Sequence, residues 1–380
     1  MLKSIGNHMQ YIVFFDKRFL QQSINELRAI LKEPKILKYL SDSIIIVDTG
    51  EKEADLKAVY NSVFLYKAEE LLFTVDVSSG YSALEEKLAG VQKEKGYQSS
   101  KAEVLKELAI DERNAKSIEV EIGTGMEKFR ATIDLANPGV VFHIIINGST
   151  AYVSMAGAEN AYSVALDYFR HRNMDKDILD NGISRAEFKI HEAIDYFNID
   201  VGKGSRALDI GAAPGGWSRN LMKRGASVVA IDAGRINYSA MPEGSRIAVA
   251  LGKEREIVEK EGIKALEMEK LDESWKAYDL LHIKELFENI KISELVKLGP
   301  FDIMCIDINI PAQESAIIAA VCSEALKKGA SLILTLKMTD DNIEQAIAKS
   351  KEALGATYEG IRVKKLPHDR KELTLFAVKI

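Results

Sequence analysis

The stretch RALDIGAAPGGWSRNLMKRG, Arg206–Gly225, decides the fold. "RALDI" reads as a buried strand, and the text beyond Trp217 reads as a helix. Between them Gly211, Gly215 and Gly216 permit a backbone approach that side chains would block. The helix that follows presents unpaired amide N–H groups at its start. In an open α/β sheet a ligand sits beyond the carboxyl ends of the strands, where the strand order switches. The spacing is G-x-x-x-G-G, with Ala213 in the place of a middle glycine. It is not the G-x-G-x-x-G that lets a pyrophosphate touch the turn. A smaller ligand, a carboxylate joined to an adenosine, suits it better. Asp232, closing the next strand, is placed to accept hydrogen bonds from a ribose diol. A turn with a purely structural role is the alternative; Asp232 and a later strand-end acid, Asp307, weigh against it.

Outward from this turn, the text after Ser184 alternates strands and helices. The strands are "SRALDIGA", "ASVVAIDAG", "FDIMCIDIN" and "ASLILTLKM", and "PAQESAIIAAVCSEALKKG" and "DNIEQAIAKSKEALG" are helical; "YEGIRVKKL" and "ELTLFAVKI" close the chain. Near-continuous apolar strands between amphipathic helices predict a doubly wound, largely parallel sheet. The charged segment "GKEREIVEKEGIKALEMEKLDESWKAY" reads as a helical surface insertion after Asp232. Upstream lies an α+β half. It opens as strand, amphipathic helix, strand and continues through a mixed region, "FLYKAEELLFTVDV". Its end holds a helix, "NAKSIEVEIGTGM", and two strands around Asn147-Gly148, a hairpin signal. The polar stretch "RHRNMDKDILDNGIS" marks the main boundary.

A formal net charge of −6 weighs mildly against nucleic acid as a partner, although phosphate binding needs only a local basic patch. Arg170-His171-Arg172, Lys223-Arg224, and Lys364-Lys365 with His368, Arg370 and Lys371 could form one; each also reads as solvated surface. No window matches a membrane span. The opening "MLKSIGNHMQYIVFF" lacks a long apolar core and a small-residue cleavage site. Cys305 and Cys322 make neither a disulfide framework nor a zinc spacing. A cytoplasmic protein is expected.

"LDIGAAPGGWSRNL" closely resembles motif I of the FtsJ-like S-adenosylmethionine-dependent RNA 2'-O-ribose methyltransferases. "SRAEFKIHEA" resembles that family's Ser-Arg-Ala…Lys segment. "HDRKELTLFAVK" resembles the ending of the RlmM-type enzymes, which methylate a cytidine ribose in 23S ribosomal RNA. The resemblance runs from about Ser184 to Ile380. Upstream, "AKSIEVEIGTGM…ATIDLANPGVVFHIIINGSTAYV" resembles the second half of a THUMP RNA-binding domain, and the opening resembles the ferredoxin-like module that often precedes THUMP. The resemblance thus implies a ferredoxin-like module over 1–58, a THUMP-like domain over 59–170 and a Rossmann-like methyltransferase domain over 180–380.

It also implies a catalytic tetrad of Lys189, Asp307, Lys337 and Glu372. S-adenosylmethionine would be held by Ser184, Asp209, Gly211, Ala213, Pro214, Gly215, Gly216, Trp217, Asp232, Glu285 and Asp307. Trp217 reads equally as packing, and Asp279 competes with Glu285 for the adenine side. Motif IV departs from the family, reading "IDINIPAQES" where a Met-Ala-Pro context is usual. A ribose hydroxyl is a poor nucleophile near neutral pH, and Lys337 would accept its proton if its amine were neutral. Burial and Lys189 would lower the Lys337 pKa, whereas Asp307 and Glu372 would raise it; the sequence leaves the sign open. Each tetrad residue has a bland reading as well. Lys189 could be a solvated helix lysine, Lys337 a snorkelling strand end, Asp307 a turn cap and Glu372 surface. No metal ligand set is visible, and His368 reads as positioning the final strand. The expected partner is ribosomal or transfer RNA, without membrane or metal. A non-catalytic RNA-binding or ribosome-assembly factor that keeps a cofactor pocket is the alternative. A small-molecule methyltransferase fits the THUMP-like half less well.

Overall fold

The computed structural model describes residues 9–50, 53–109, 114–157, 181–251, 263–267, 273–338 and 342–380. The chain divides into two compact units, Met1–Leu166 and Asp167–Ile380. Most of the polar boundary stretch, including Arg170-His171-Arg172, lies outside the described residues.

The first unit holds two four-stranded sheets. One has the order β2-β3-β1-β4, built from β1 (Gln10–Phe15), β2 (Lys35–Ser41), β3 (Ile44–Asp48) and β4 (Leu65–Glu70), with helices α1 (Leu20–Leu31) and α2 (Leu56–Asn61). The other has the order β5-β8-β7-β6, from β5 (Phe73–Asp76), β6 (Ser100–Ala109), β7 (Val140–Gly148) and β8 (Thr150–Gly157), with α3 (Ser82–Glu94) and α4 (Ala115–Lys128). Strand alternation explains why β1 is apolar throughout. Tyr11, Val13 and Phe15 join the core with α1, whereas Ile12 and Phe14 pack with Ile145 and Tyr152 of the other sheet. Buried Lys67, Glu69, His143 and Ser154 join the two sheets by hydrogen bonds: Lys67 to Glu69 at 2.6 Å, and Ser154 to Glu69 at 2.7 Å.

Three expectations change here. The opening carries two strands after its helix, because β2 is a mostly exposed edge strand without the alternation that marks a buried one. A module ending at residue 58 would cut the first sheet, whose strand β4 begins at Leu65. "FLYKAEELLFTVDV" holds two strands that enter different sheets, β4 in the first and β5 in the second. The Asn147-Gly148 hairpin forms as read, with Asn147 opposite Thr150 and Gly148 at φ +61°.

The second unit is built on a nine-stranded sheet of order β12-β11-β13-β10-β9-β14-β15-β17-β16. The strands are β9 (Arg206–Ile210), β10 (Ser227–Ile231), β11 (Ile247–Leu251), β12 (Lys264–Glu267), β13 (Leu280–Ile283), β14 (Phe301–Ile306), β15 (Leu326–Lys337), β16 (Tyr358–Lys364) and β17 (Glu372–Lys379). All pairings are parallel except those of β17 with β15 and β16. The helices are α5 (Ala186–Phe197), α6 (Gly216–Lys223), α7 (Ile292–Leu298), α8 (Ala312–Cys322) and α9 (Ile343–Leu354). The chain leaves β9 for β10 on one side and returns to β14 on the other, so the strand order switches at β9. Parallel strands covered on both faces must be apolar throughout, and β9, β10 and β14 are almost fully buried. The segment after Asp232 is not simply helical: it adds β11 and β12 at one edge of the sheet, and residues 252–262 and 268–272 lie outside the described ones. In "PAQESAIIAAVCSEALKKG" the α-helix ends at Cys322 and a 3-10 turn at Ala325, because Leu326 already pairs with Phe301 in the sheet.

Candidate active site

The glycine turn lies at the switch point. Gly211 has φ +82°, and a Cβ there would stand 2.8 Å from the backbone oxygen of Asp307. Gly215 has φ +111°, and its Cβ would meet Met241 and Ile236. At Gly216 a Cβ would come 2.8 Å from Ser184 Oγ. The left-handed backbone at Gly211 and Gly215 calls for glycine, and all three glycines let the turn pack closely on the chain at the start of α6. Ser184 Oγ is buried against it and takes no hydrogen bond among the described residues. Ala213 N–H donates to Asp232 Oδ2 at 2.9 Å, and Pro214 O accepts from Asn237 N–H at 2.9 Å. Asp232 therefore clamps the turn that it was expected only to face.

Asp209 and Trp217 lie beneath the turn. Asp209 is 1% exposed and accepts a hydrogen bond from Ser218 Oγ at 2.6 Å. Burial, with the nearby charges of Asp307 and Asp232 adding, pushes its pKa up to about 7 against the Ser218 hydrogen bond. Trp217 is a core residue, and its Nε1–H donates to Ala186 O at 2.7 Å. Asp209 was expected at the cofactor and Trp217 either there or in packing; both anchor the helix that follows the turn. The two candidates for the adenine side are also separated. Asp279 precedes β13, at the amino end of the strands, and pairs with Arg246 at 3.1 Å. Glu285 follows the carboxyl end of β13, where Asp232 N–H donates to Ile283 O at 3.2 Å. It is half-buried, and hydrogen bonds from Asn289 and Leu286 N–H hold its carboxyl below the usual range.

The four tetrad candidates meet beside the turn. Asp307 ends β14, Lys337 ends β15, Glu372 begins β17 and pairs in register with Lys337, and Lys189 comes from α5. Asp307 N–H donates to Ile210 O at 3.1 Å, which locks this acid to the glycine turn. Lys337 Nζ donates to Asp307 Oδ1 at 2.7 Å and to Glu372 Oε2 at 2.9 Å. Lys189 Nζ lies 3.4 Å from Asp307 Oδ2 and contacts Glu372 Oε1 closely. Two ammonium groups and two carboxylates thus alternate around one ring, each side chain 11–17% exposed. Burial alone would lower the Lys337 pKa, but Asp307 and Glu372 outweigh it and raise it. Burial is likewise outweighed at Glu372, where Lys189 and Lys337 bring the pKa down to about 2.

The basic cluster near the C-terminus does not form a surface patch. Lys365 is fully buried and donates to Leu366 O at 2.9 Å and to Asp369 O; Lys364 is buried with its ammonium over the Tyr196 ring. Of that group only Arg370 and Lys371 are exposed. Sequence reasoning also missed the groups that brace the loop before Glu372. Buried Glu192 accepts from His368 N–H at 3.1 Å, and Asp369 accepts from Leu366 N–H and Thr374 Oγ1. Glu192 follows Lys189 by three positions, and that helical spacing was the available signal. Among the described residues no group of His, Cys, Asp and Glu could hold a metal ion.

Comparison with known proteins agrees with this geometry. The family model of FtsJ-like methyltransferases matches residues 183–370. The large-subunit ribosomal RNA methyltransferase M of Tolumonas auensis is 27% identical over 206 residues, covering 50% of this chain and 45% of that protein. The same-named protein of Pseudoalteromonas translucida is 34% identical over 115 residues, 29% of this chain and 30% of its own length. The large-subunit ribosomal RNA methyltransferase E of Granulibacter bethesdensis is 59% identical over 46 residues, 12% of this chain and 20% of its own. The matched segments thus span less than half the length of each of these relatives. Among solved structures, TrmN from Thermus thermophilus aligns over 98% of this chain and 100% of its own, at 13% identity and a TM-score of 0.37, too low to bear on the fold. Residues 183–370 of this chain carry an FtsJ-like methyltransferase fold.

Proposed function

We propose that this protein is an S-adenosylmethionine-dependent RNA ribose 2'-O-methyltransferase acting on ribosomal or transfer RNA. One observation carries the reading. A ring of Lys189, Asp307, Lys337 and Glu372 is locked through Asp307 to a glycine cradle with an acid, Asp232, at its far side. The cradle fits the cofactor on its own terms. Gly211, Gly215 and Gly216 let the turn pack tightly against the chain at a helix start, Ser184 Oγ is buried there without a partner among the described residues, and Asp232 presents a carboxylate at the next strand end. Glu285 stands on the adenine side. When bound, S-adenosylmethionine supplies a methyl group already activated as a sulfonium, so the chain need only align and deprotonate the acceptor hydroxyl.

The proton's destination follows from the ring. Lys337 rests as an ammonium between two carboxylates, so it orients the hydroxyl as a charged donor, and Asp307 rather than the strongly acidic Glu372 accepts the hydroxyl proton as the methyl bond forms. This departs from a role for Lys337 as the proton acceptor, which would need its neutral form. The first unit supplies RNA binding in this reading, its second sheet with α3 and α4 serving as the THUMP-like part. Mapping ribose methylation in RNA from cells lacking the gene, and restoring it with wild-type and Lys337→Met protein, tests the function. Methylation restored by neither protein would overturn it. RNA binding without methyl transfer by the wild type would favour an assembly factor.

A further inference from the structure

His282 stands in the middle of a parallel sheet, at strand β13 between β10 and β11, fully buried. A leucine there would be cheaper to bury, because an imidazole carries two polar nitrogens that each need a partner. Both have one. His282 Nε2 lies 2.9 Å from the backbone oxygen of Asp232, and Nδ1 lies 2.6 Å from the hydroxyl of Tyr238. A carbonyl oxygen only accepts, so the proton is on Nε2, and Nδ1 accepts from the Tyr238 O–H. Burial pushes the ring's pKa down to about 4, so this neutral tautomer holds across the physiological range.

The bond completes an unusual enclosure of Asp232. Its N–H donates to Ile283 O at 3.2 Å, and its carbonyl accepts from His282. Its Oδ2 accepts from Ala213 N–H at 2.9 Å, and its Oδ1 from Gly234 N–H at 2.7 Å. Every polar group of the acid is held before a ligand arrives, and each carboxylate oxygen keeps a lone pair for a ligand hydroxyl. We propose that His282, held at its other nitrogen by Tyr238, is a positioning residue that fixes the Asp232 carboxylate for a vicinal diol of the cofactor. This rests on the cofactor reading above. Such a buried partner tunes an acid that touches the ligand without touching the ligand itself.

Calorimetric titration of the full chain with S-adenosylhomocysteine tests it. His282→Gln can place an amide N–H near the Nε2 position, and His282→Asn only near Nδ1. The Gln variant is expected to bind within about threefold of wild type. The Asn variant should bind about tenfold more weakly, the scale of one lost hydrogen bond. Tyr238→Phe, a milder change that keeps the ring, is expected to weaken binding severalfold. The nitrogen NMR spectrum of His282 should keep the Nε2–H tautomer in Tyr238→Phe, because the Asp232 carbonyl still only accepts. Binding equal to wild type in the Asn and Phe variants overturns the inference, as does equal loss in the Gln and Asn variants. If wild type itself fails to bind the ligand, the cofactor reading falls first and this inference with it.

Discussion

Lys337 Nζ lies 2.7 Å from Asp307 Oδ1, and these two residues end neighbouring parallel strands, β15 and β14. The contact decides how the site handles protons. A buried lysine alone would shed its charge, but this one sits between two carboxylates, and its pKa is raised. If Lys337 works as a charged donor, single-turnover methyl transfer should stay nearly flat from pH 7 to 9. If it were the acceptor, the rate would climb about tenfold per pH unit as its neutral fraction grew. Lys337→Met keeps much of the volume and removes the charge, so we expect transfer to fall at least about 10²-fold with little change in cofactor affinity. A variant within a fewfold of wild type would remove Lys337 from the mechanism.

Asp232→Ala removes a carboxylate that accepts hydrogen bonds from Ala213 and Gly234 and faces the ligand side of the cradle. Loss of charged hydrogen bonds predicts weaker S-adenosylhomocysteine binding by about 1–3 kcal/mol, a factor of roughly 5 to 150. NAD should not bind wild type, because the turn lacks the middle glycine of dinucleotide folds. Calorimetry reads both, and NAD binding without S-adenosylhomocysteine binding would sink the cofactor assignment.

The glycine turn was legible in sequence because its signals are local: an apolar run, three closely spaced glycines and an acid one strand later. The four residues of the charged ring came from the resemblance of their motifs; read alone, Asp307 and Lys337 stood at strand ends, Lys189 on a helix and Glu372 as surface. What escaped notice depends on partners far along the chain. Lys365 reads as surface until the loop carbonyls around it are seen. Trp217 and Asp209 sit in the quoted stretch, yet Ala186 and Ser218 turn them inward. Strand β2 was missed because an edge strand buries too little for periodicity to mark it. The packing of the first unit's two sheets on each other depends on Ile12 and Phe14 meeting Ile145 and Tyr152, more than a hundred positions away.

The first unit contains its own apolar clusters on both sheets. Expressed alone as residues 1–166, it is expected to fold and to bind structured RNA with modest affinity. Phosphate contacts release counterions, so log affinity should fall linearly with log salt concentration. Filter binding between 50 and 200 mM salt, conditions spanning the range where such slopes are steep, provides the check. A folded unit with no RNA affinity at the low-salt end would leave the second unit as the sole RNA contact.

The last prediction concerns Asp209 and stability. Its folded-state pKa is about 7, against an ordinary value of 3.8, chiefly because it is buried. Between those two values the folded chain holds a proton that the unfolded chain has released. Stability from this group is therefore full below about pH 4 and is lost as pH rises to 7. Above pH 7 the buried carboxylate is charged, and the cost is on the order of a few kcal/mol. Asp209→Asn keeps an oxygen that can accept from Ser218 Oγ and removes the ionisation. Relative to wild type, its melting temperature should gain several degrees more at pH 8.5 than at pH 5. Measuring the difference between the two proteins at each pH cancels the other titrating groups to first order. A variant whose advantage is the same at both pH values, or larger at pH 5, would show that Asp209 keeps an ordinary pKa beneath the turn.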